Sequence, residues 1–293
     1  MAPSRNTRSR FFVDPSCIDR AAGLARCNEP GLSHQVRNVL RLQKGDQVQL
    51  LDGLGHLWEA RLASADRTFI EFLLESEITG SQAKAPLFSL ISCLPMIKAQ
   101  RFEWALEKLC ELGVSQILPF QSDRCMVKLK STEAGRSKRW LAICKEASEQ
   151  CERLSLPELH EPLSLTDLLK KHAQPVKDRA QPGALANDQG QDLSPPGSAV
   201  KIKMVLSERN AEAPDMVSTL YNLALSTTET NRPLDVLVLS GPEGGFSDEE
   251  QRSIAAHDFC PVSLGDLILR SETACILAAG LVSAVSDSQI KKE

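Results

Sequence analysis

The nine cysteines form no C-x-x-C pair, and their odd count leaves one over in any complete set of disulfides. That spacing offers neither a zinc site nor a disulfide framework. It points to a reducing, cytoplasmic setting in which Cys110, Cys144, Cys151 and Cys275 serve as small buried hydrophobes. None of the five histidines pairs with another at ligand spacing, so no metal is expected. No apolar run approaches the roughly 18 residues a membrane-spanning helix needs, so no membrane partner is expected. The basic start, with Arg5, Arg8 and Arg10, lacks the apolar stretch of a secretory signal and reads as a short tail. Neither G-x-x-x-x-G-K-[ST] nor G-x-G-x-x-G occurs, which removes the commonest nucleotide-phosphate loops.

Acidic residues are also missing locally. The chain carries a net charge of −4, which argues against non-specific coating of nucleic acid. Yet residues 33–45 contain no acid while holding His34, Arg37, Arg41 and Lys44. Residues 124–139 hold six cations, beginning with Arg124, against Glu133 alone. Basic patches on an otherwise acidic chain suit contact with a particular RNA surface, although a charge run by itself is most often a solvated face.

The 293 residues suffice for two domains. The first, residues 1–80, reads as short strands at 46–51, 57–62 and 68–74, with a short helix at 35–40. Asp52-Gly53-Leu54-Gly55 supplies hairpin chemistry between two of these strands. This is the pattern of a small β-barrel. From residue 87 to 293 strands alternate with helices, which implies a mostly parallel sheet covered by helices. Residues 171–199 interrupt the rhythm with Pro175, Pro182, Pro195 and Pro196 and read as a disordered insertion or long surface loop.

Two segments near the C-terminus, 236–250 and 262–280, each read as strand, Gly-containing loop and helix. In the first, Gly241-Pro242-Glu243-Gly244-Gly245 lets backbone approach a ligand that a Cβ would push away. Ser247 with Glu250 three residues on makes a capping box. Asp248, Glu249 and Glu250 crowd the same helix start, where they suit the helix dipole and repel phosphate. The ligand expected there is neutral or cationic.

Taken in order, these segments resemble the RsmE family of 16S ribosomal RNA uridine-N3 methyltransferases, of the SPOUT class. The resemblance covers nearly the whole chain outside the insertion. It rests on His34-Gln35-Val36-Arg37-Asn38-Val39-Leu40-Arg41 with Lys44-Gly45-Asp46, and on Glu107-Lys108 followed by Glu111-Leu112-Gly113-Val114. Pro119, Arg124 and Glu149-Gln150-Cys151-Glu152-Arg153 continue it. Gly241 to Ser247 and Leu264-Gly265 through Leu269-Arg270-Ser271-Glu272-Thr273-Ala274 complete it. The resemblance implies an α/β fold, with a PUA-like RNA-binding β-barrel ahead of a SPOUT-type knotted parallel-sheet methyltransferase domain. It implies a homodimer acting on 16S rRNA in the small ribosomal subunit. It also implies S-adenosylmethionine as cofactor, held by Leu239, Ser240, Gly241, Pro242, Glu243, Gly244, Gly245, Leu264, Gly265, Ile268 and Leu269. A sulfonium cation without phosphate agrees with the acidic helix start. One position departs: the family commonly has Arg two residues after the Leu-Gly pair, where this chain has Leu267.

Methyl transfer from a sulfonium is an in-line displacement, so alignment matters most. The uracil N3–H must also lose its proton, and N3 is reached only in an unpaired or flipped base. Arg270 is the candidate for stabilising charge on the base or holding a phosphate. Glu272 is the candidate to orient Arg270 or act as base, and Thr273 to hydrogen-bond cofactor or base; for both, plain helix N-terminal chemistry is the alternative. His34, Arg37, Arg41, Lys44 and Arg124 would hold RNA. An RNA-binding protein with an inactive knot, or an enzyme acting at another RNA position, are the competing readings.

Overall fold

The computed structural model describes residues 9–67, 69–78, 86–128, 134–172, 201–208, 212–226 and 234–290. The chain divides into two compact units, Met1–Lys84 with Arg139–Pro157, and Ala85–Lys138 with Glu158–Glu293.

The first unit is a curled sheet. In chain order it holds β1 (Ser9–Phe12), β2 (Ile18–Asp19), β3 (Leu24–Cys27), α1 (Pro30–His34), β4 (Gln47–Leu51), β5 (Leu57–Ala65) and β6 (Ile70–Ile78). The strands lie in the order β1-β4-β5-β6-β3-β2; β1 runs parallel to β4 and the other pairs are antiparallel. The expected hairpin joins β4 and β5, and the Asp52 carboxylate accepts the N–H groups of Leu54 (2.8 Å) and His56 (3.1 Å). Two register shifts between β5 and β6 bend the sheet. It curls around Phe11, Leu50, Trp58, Leu62, Ile70 and Phe72, each worth about 1.5–3 kcal/mol when fully buried. The barrel of the sequence reading is thus a half-barrel, with β1 and β2 as its edges among the described residues.

The helix expected at 35–40 starts earlier, at Pro30, whose fixed φ suits a first helical position. It continues through Gln35–Val39 as π-type turns, with Val36 buried in the sheet's core. Arg41 then adopts φ 53°, a left-handed conformation usually left to glycine, and the Leu42 N–H reaches back to Val36 O at 2.9 Å.

Residues 139–157 fall within the span read from sequence as the C-terminal domain, yet they group with this sheet. The physical reason is a set of contacts within the unit. Phe12 N–H donates to Glu149 at 2.9 Å, Arg10 pairs with Glu152 at 3.2 Å, Lys145 pairs with Glu29 at 3.1 Å, and Leu154 packs on Phe12, Leu51 and Leu57. Burial pushes the Glu149 carboxyl above its ordinary 4.5, against hydrogen bonds from Phe12 and Gln35 that lower it. Its folded form therefore holds a proton more tightly than its unfolded form. That contribution to stability is complete below the unfolded value and is lost as pH rises through the folded one. Glu149→Gln keeps an acceptor for Phe12 without the charge. Its urea midpoint should gain on the wild type as pH rises from about 4 to 7; a constant difference would contradict this.

The second unit is built on a parallel sheet. Its elements are β7 (Phe88–Pro95), α2 (Ala99–Glu111), β8 (Gln116–Gln121) and the start of α3 (Ala134–Gln150). They continue with β9 (Glu158–Leu159), β10 (Leu163–Ser164), α4 (Leu165–Lys171), β11 (Lys201–Leu206) and α5 (Met216–Ser226). β12 (Leu234–Leu239), α6 (Asp248–Ala256), β13 (Cys260–Val262) and α7 (Ser271–Ile290) complete it. The strand order is β10-β8-β7-β12-β11-β13, with β9 also beside β8, and every pairing is parallel. Strands covered on both faces must be apolar throughout, and β7 and β12 are buried along most of their length. The α2 helix buries Phe102, Ala105, Leu106, Leu109 and Cys110, a 3.6-residue stripe, and ends at Gly113 with φ 78°. From residue 173 onward the predicted insertion lies outside the described residues.

Candidate active site

In open parallel sheets ligands bind beyond the carboxyl ends of the strands. Here three adjacent strands, β12, β11 and β13, send their following loops to one place. Residues 205–208 at the end of β11 and beyond it, 241–246 after β12, and Leu264, Gly265, Leu267 and Leu269 after β13 surround a cleft of about 710 Å³. Arg124, Ile254, Phe259 and Ala274 complete the wall.

Each loop is fixed by local chemistry. Gly245 N–H donates to Pro242 O at 2.9 Å, and Gly245 takes φ 68°. A Cβ on Gly244 would stand 3.0 Å from Arg124 Cβ and 3.3 Å from Arg124 O, so a side chain there would force one of the two segments to shift. The predicted capping box forms: Ser247 Oγ accepts from Glu250 N, and the Glu250 carboxylate accepts from Ser247 N at 2.8 Å. Glu250 does more than cap, because it also accepts the Asp123 N–H at 2.8 Å, and Ser247 Oγ donates to Asp123 Oδ2 at 3.0 Å. The loop after β8 is thereby tied to the loop after β12. Ser271 Oγ donates to Gly241 O at 2.6 Å and ties the start of α7 to the same place.

The structure brings together most of the predicted cofactor residues. Gly241, Pro242, Glu243, Gly244, Gly245, Leu264, Gly265 and Leu269 line the cleft. Leu239 and Ser240 do not; both are fully buried at the end of β12, and Ser240 Oγ has no hydrogen-bond partner among the described residues. Ile268 does not line it either and is 66% exposed. Leu267, the departure from the family pattern, forms part of the lip and is 81% exposed. Arg270 and Thr273 are exposed, and Arg270 has no side-chain partner among the described residues. Glu272 is only 4% exposed, and the cation it meets is Arg101, 3.5 Å away, rather than Arg270. Arg101 also pairs with Glu243. Sequence reasoning missed Arg101, since a single cation in the first turn of an amphipathic helix carries no signal. In the first unit His34, Arg37, Arg41 and Lys44 are all exposed and form no ion pair among the described residues. Arg124 lines the cleft and donates to Gly244 O at 3.3 Å.

The chemistry of this wall can be bounded. Burial pushes the Cys275 thiol up to about 12, with the Glu272 charge adding to it, and also raises Cys93. Neither is a thiolate nucleophile at neutral pH. No group of three His, Cys, Asp or Glu among the described residues is arranged to hold a metal ion. No helix among them is long and apolar enough to cross a membrane. The cleft volume falls within the range of roughly 300–1,000 Å³ that takes a drug-sized ligand. Glycine backbone, Glu243 and Glu208 on its wall suit a ligand with cationic character and no phosphate.

Residues 83–283 match the RNA methyltransferase domain family, and residues 36–75 match the RNA methyltransferase PUA domain. With the parallel sheet and its glycine-walled cleft, this defines the class: the protein is an RNA methyltransferase. The chain is 30% identical over 256 residues to ribosomal RNA small subunit methyltransferase E of Synechocystis, covering 87% of this chain and 71% of that protein. It is 28% identical to the protein of that name from Bacillus subtilis, over 85% of this chain and 86% of the relative. A Legionella pneumophila structure, described as a methyltransferase in complex with the bound cofactor SAM, superposes with a TM-score of 0.73. It is 26% identical and covers 94% of this chain and 97% of that one. The chain belongs to the ribosomal RNA small subunit methyltransferase E family, RsmE.

Proposed function

We propose that this protein methylates N3 of a uridine in 16S rRNA of the small ribosomal subunit, with S-adenosylmethionine as cofactor. The observation that carries the reading is the convergence of three loops beyond adjacent parallel strands on one glycine-walled cleft. When bound there, S-adenosylmethionine supplies a methyl group activated by a sulfonium. The Gly241–Gly245 backbone, Leu264, Gly265 and Leu269 are the groups to hold it. The buried Leu239 and Ser240 support that loop from beneath, and Ile268 extends the lip beside it. The chain's own residues must then align the base and manage its proton. Arg270, immediately before α7, is exposed and has no side-chain partner among the described residues; it lies outside the cleft lining, and its guanidinium would meet a developing negative charge or a phosphate of the bound RNA. Thr273, three residues on and also exposed, would offer a hydroxyl to the base. Leu267 and Ile268 present apolar faces at the lip, suited to an unstacked base.

In the first unit, His34, Arg37, Arg41 and Lys44, exposed and without ion pairs among the described residues, support RNA contact, and Arg124 adds a cation at the cleft. Arg41 keeps an exposed guanidinium at a left-handed position that glycine would fill with less strain, which favours a use for that side chain. A trefoil knot accords with β11 lying between β12 and β13 and with the joining of their loops at one cleft. Homodimerisation accords with exposed apolar side chains on helices that pack together: Leu277 on α7, Trp104 on α2, and Val217, Tyr221 and Leu225 at four-residue spacing on α5. All nine cysteines are free, in keeping with a reducing cytoplasm.

The test is transfer of labelled methyl groups from S-adenosylmethionine to unmodified small subunits, with Arg270→Ala alongside. The variant should bind cofactor as the wild type does and transfer on the order of 100- to 1,000-fold more slowly. Unchanged transfer would remove Arg270 from the chemistry.

A further inference from the structure

We infer that Arg101 is the positioning residue of the cofactor cleft, clamping Glu243 of the loop after β12 and Glu272 of the first turn of α7 against a single guanidinium on α2. The inference rests on the reading of this cleft as the S-adenosylmethionine site. Arg101 does not line the cleft; Glu243 does, and Glu272 opens the helix that follows the loop carrying Leu264, Gly265 and Leu269. Two acids from separate segments, a loop and a helix start, would repel one another if brought together without a cation. Glu272 is almost fully buried, and its Oε2 has no hydrogen-bond partner among the described residues. Arg101, with Nε 3.5 Å from Glu272 Oε1, is its only ion-pair partner among them. Without Arg101 a buried carboxylate would be left uncompensated beside the cleft.

Arginine suits this place as lysine does not. Its planar fork directs Nε to Glu272 while one terminal nitrogen faces Glu243, so one side chain sets the separation of the loop after β12 and the start of α7. The Arg101 backbone is itself anchored, its N–H donating to Lys98 O at 3.0 Å in the first turn of α2. Glu243 is thereby committed to the clamp, and Glu272 acts through position rather than as a base in contact with substrate.

The experiment is calorimetric titration of the full-length protein with S-adenosylmethionine, with a thermal melt of each variant. R101M should raise Kd on the order of 10- to 100-fold, the scale of a lost hydrogen bond to a charged group. Adding E272Q to R101M should recover most of that loss, because the stranded charge is gone. R101K should fall between wild type and R101M. A double variant as weak as R101M, or R101M binding like wild type, would overturn the clamp. Should R101M fail to melt cooperatively, R101K decides: wild-type affinity there overturns the clamp, and an intermediate affinity improved by E272Q supports it. A wild-type protein that does not bind S-adenosylmethionine overturns the cofactor reading, and the clamp's role in it.

Discussion

A Gly244→Val protein is expected to lose S-adenosylmethionine binding by on the order of 100-fold, the scale on which a displaced positioning loop acts. The added Cβ would lie 3.0 Å from Arg124 Cβ and 3.3 Å from the Arg124 carbonyl oxygen. The second contact is backbone, which cannot swing aside as a side-chain tip can. Relief therefore has to come from moving residues 241–246 or the Arg124 backbone, both of which belong to the wall of the cleft. Overpacking of this kind costs about 1–3 kcal/mol, so the protein should still fold with a lowered melting temperature. Gly245 is the control beside it. Its φ of 68° disfavours a side chain, but nothing stands within 4 Å of a Cβ there. Gly245→Ala should cost about 1–2 kcal/mol of left-handed strain and weaken binding less than the Gly244 change. Calorimetry on both variants checks the order; Gly244→Val binding like wild type would mean that this loop does not hold the cofactor.

The second large effect is expected at Glu250. Its carboxylate accepts two backbone N–H groups, from Ser247 and Asp123, each at 2.8 Å, and the residue is nearly buried. Glu250→Ala leaves both donors without their acceptor, and an unsatisfied donor away from water costs about 1–3 kcal/mol. The loss should therefore be about 2–4 kcal/mol in urea unfolding, well beyond an ordinary helix cap. Glu250→Gln keeps one acceptor oxygen but turns an NH₂ group toward the other donor, so it should lie between the two. An alanine variant within about 0.5 kcal/mol of wild type, as an ordinary surface change would be, contradicts the tie between the two loops.

The sequence made much of this legible for identifiable reasons. The parallel sheet announced itself through apolar runs such as residues 236–239, alternating with the amphipathic stripe of α2. The glycine loop and the capping box at Ser247 and Glu250 were readable because glycine and N-cap chemistry are local. What escaped was of three kinds. Short elements lack a full period: α4 spans only seven residues, and β9 and β10 two each. α5 spans 11 residues, but its apolar positions lie close together without a clear polar face and give no distinct helical period. Partnerships across the chain were invisible. Glu250 could be read as a cap but not as the acceptor for Asp123, 127 residues away. Glu272 could be read as acidic but not as the partner of Arg101, which comes from a different helix. The grouping of residues 139–157 with the half-barrel likewise depends on contacts such as Phe12 with Glu149, 137 residues apart. Local patterns gave the scaffold and the loops, whereas the electrostatic links between loops appeared only in three dimensions.

The most direct test of the central claim is nucleoside analysis of 16S rRNA from small subunits incubated with the protein and methyl-labelled S-adenosylmethionine. The label should be recovered as 3-methyluridine, in an amount approaching one per subunit. Label recovered in a ribose methyl group or in another base would contradict the assignment of uridine N3, even if the cofactor and the cleft were as described.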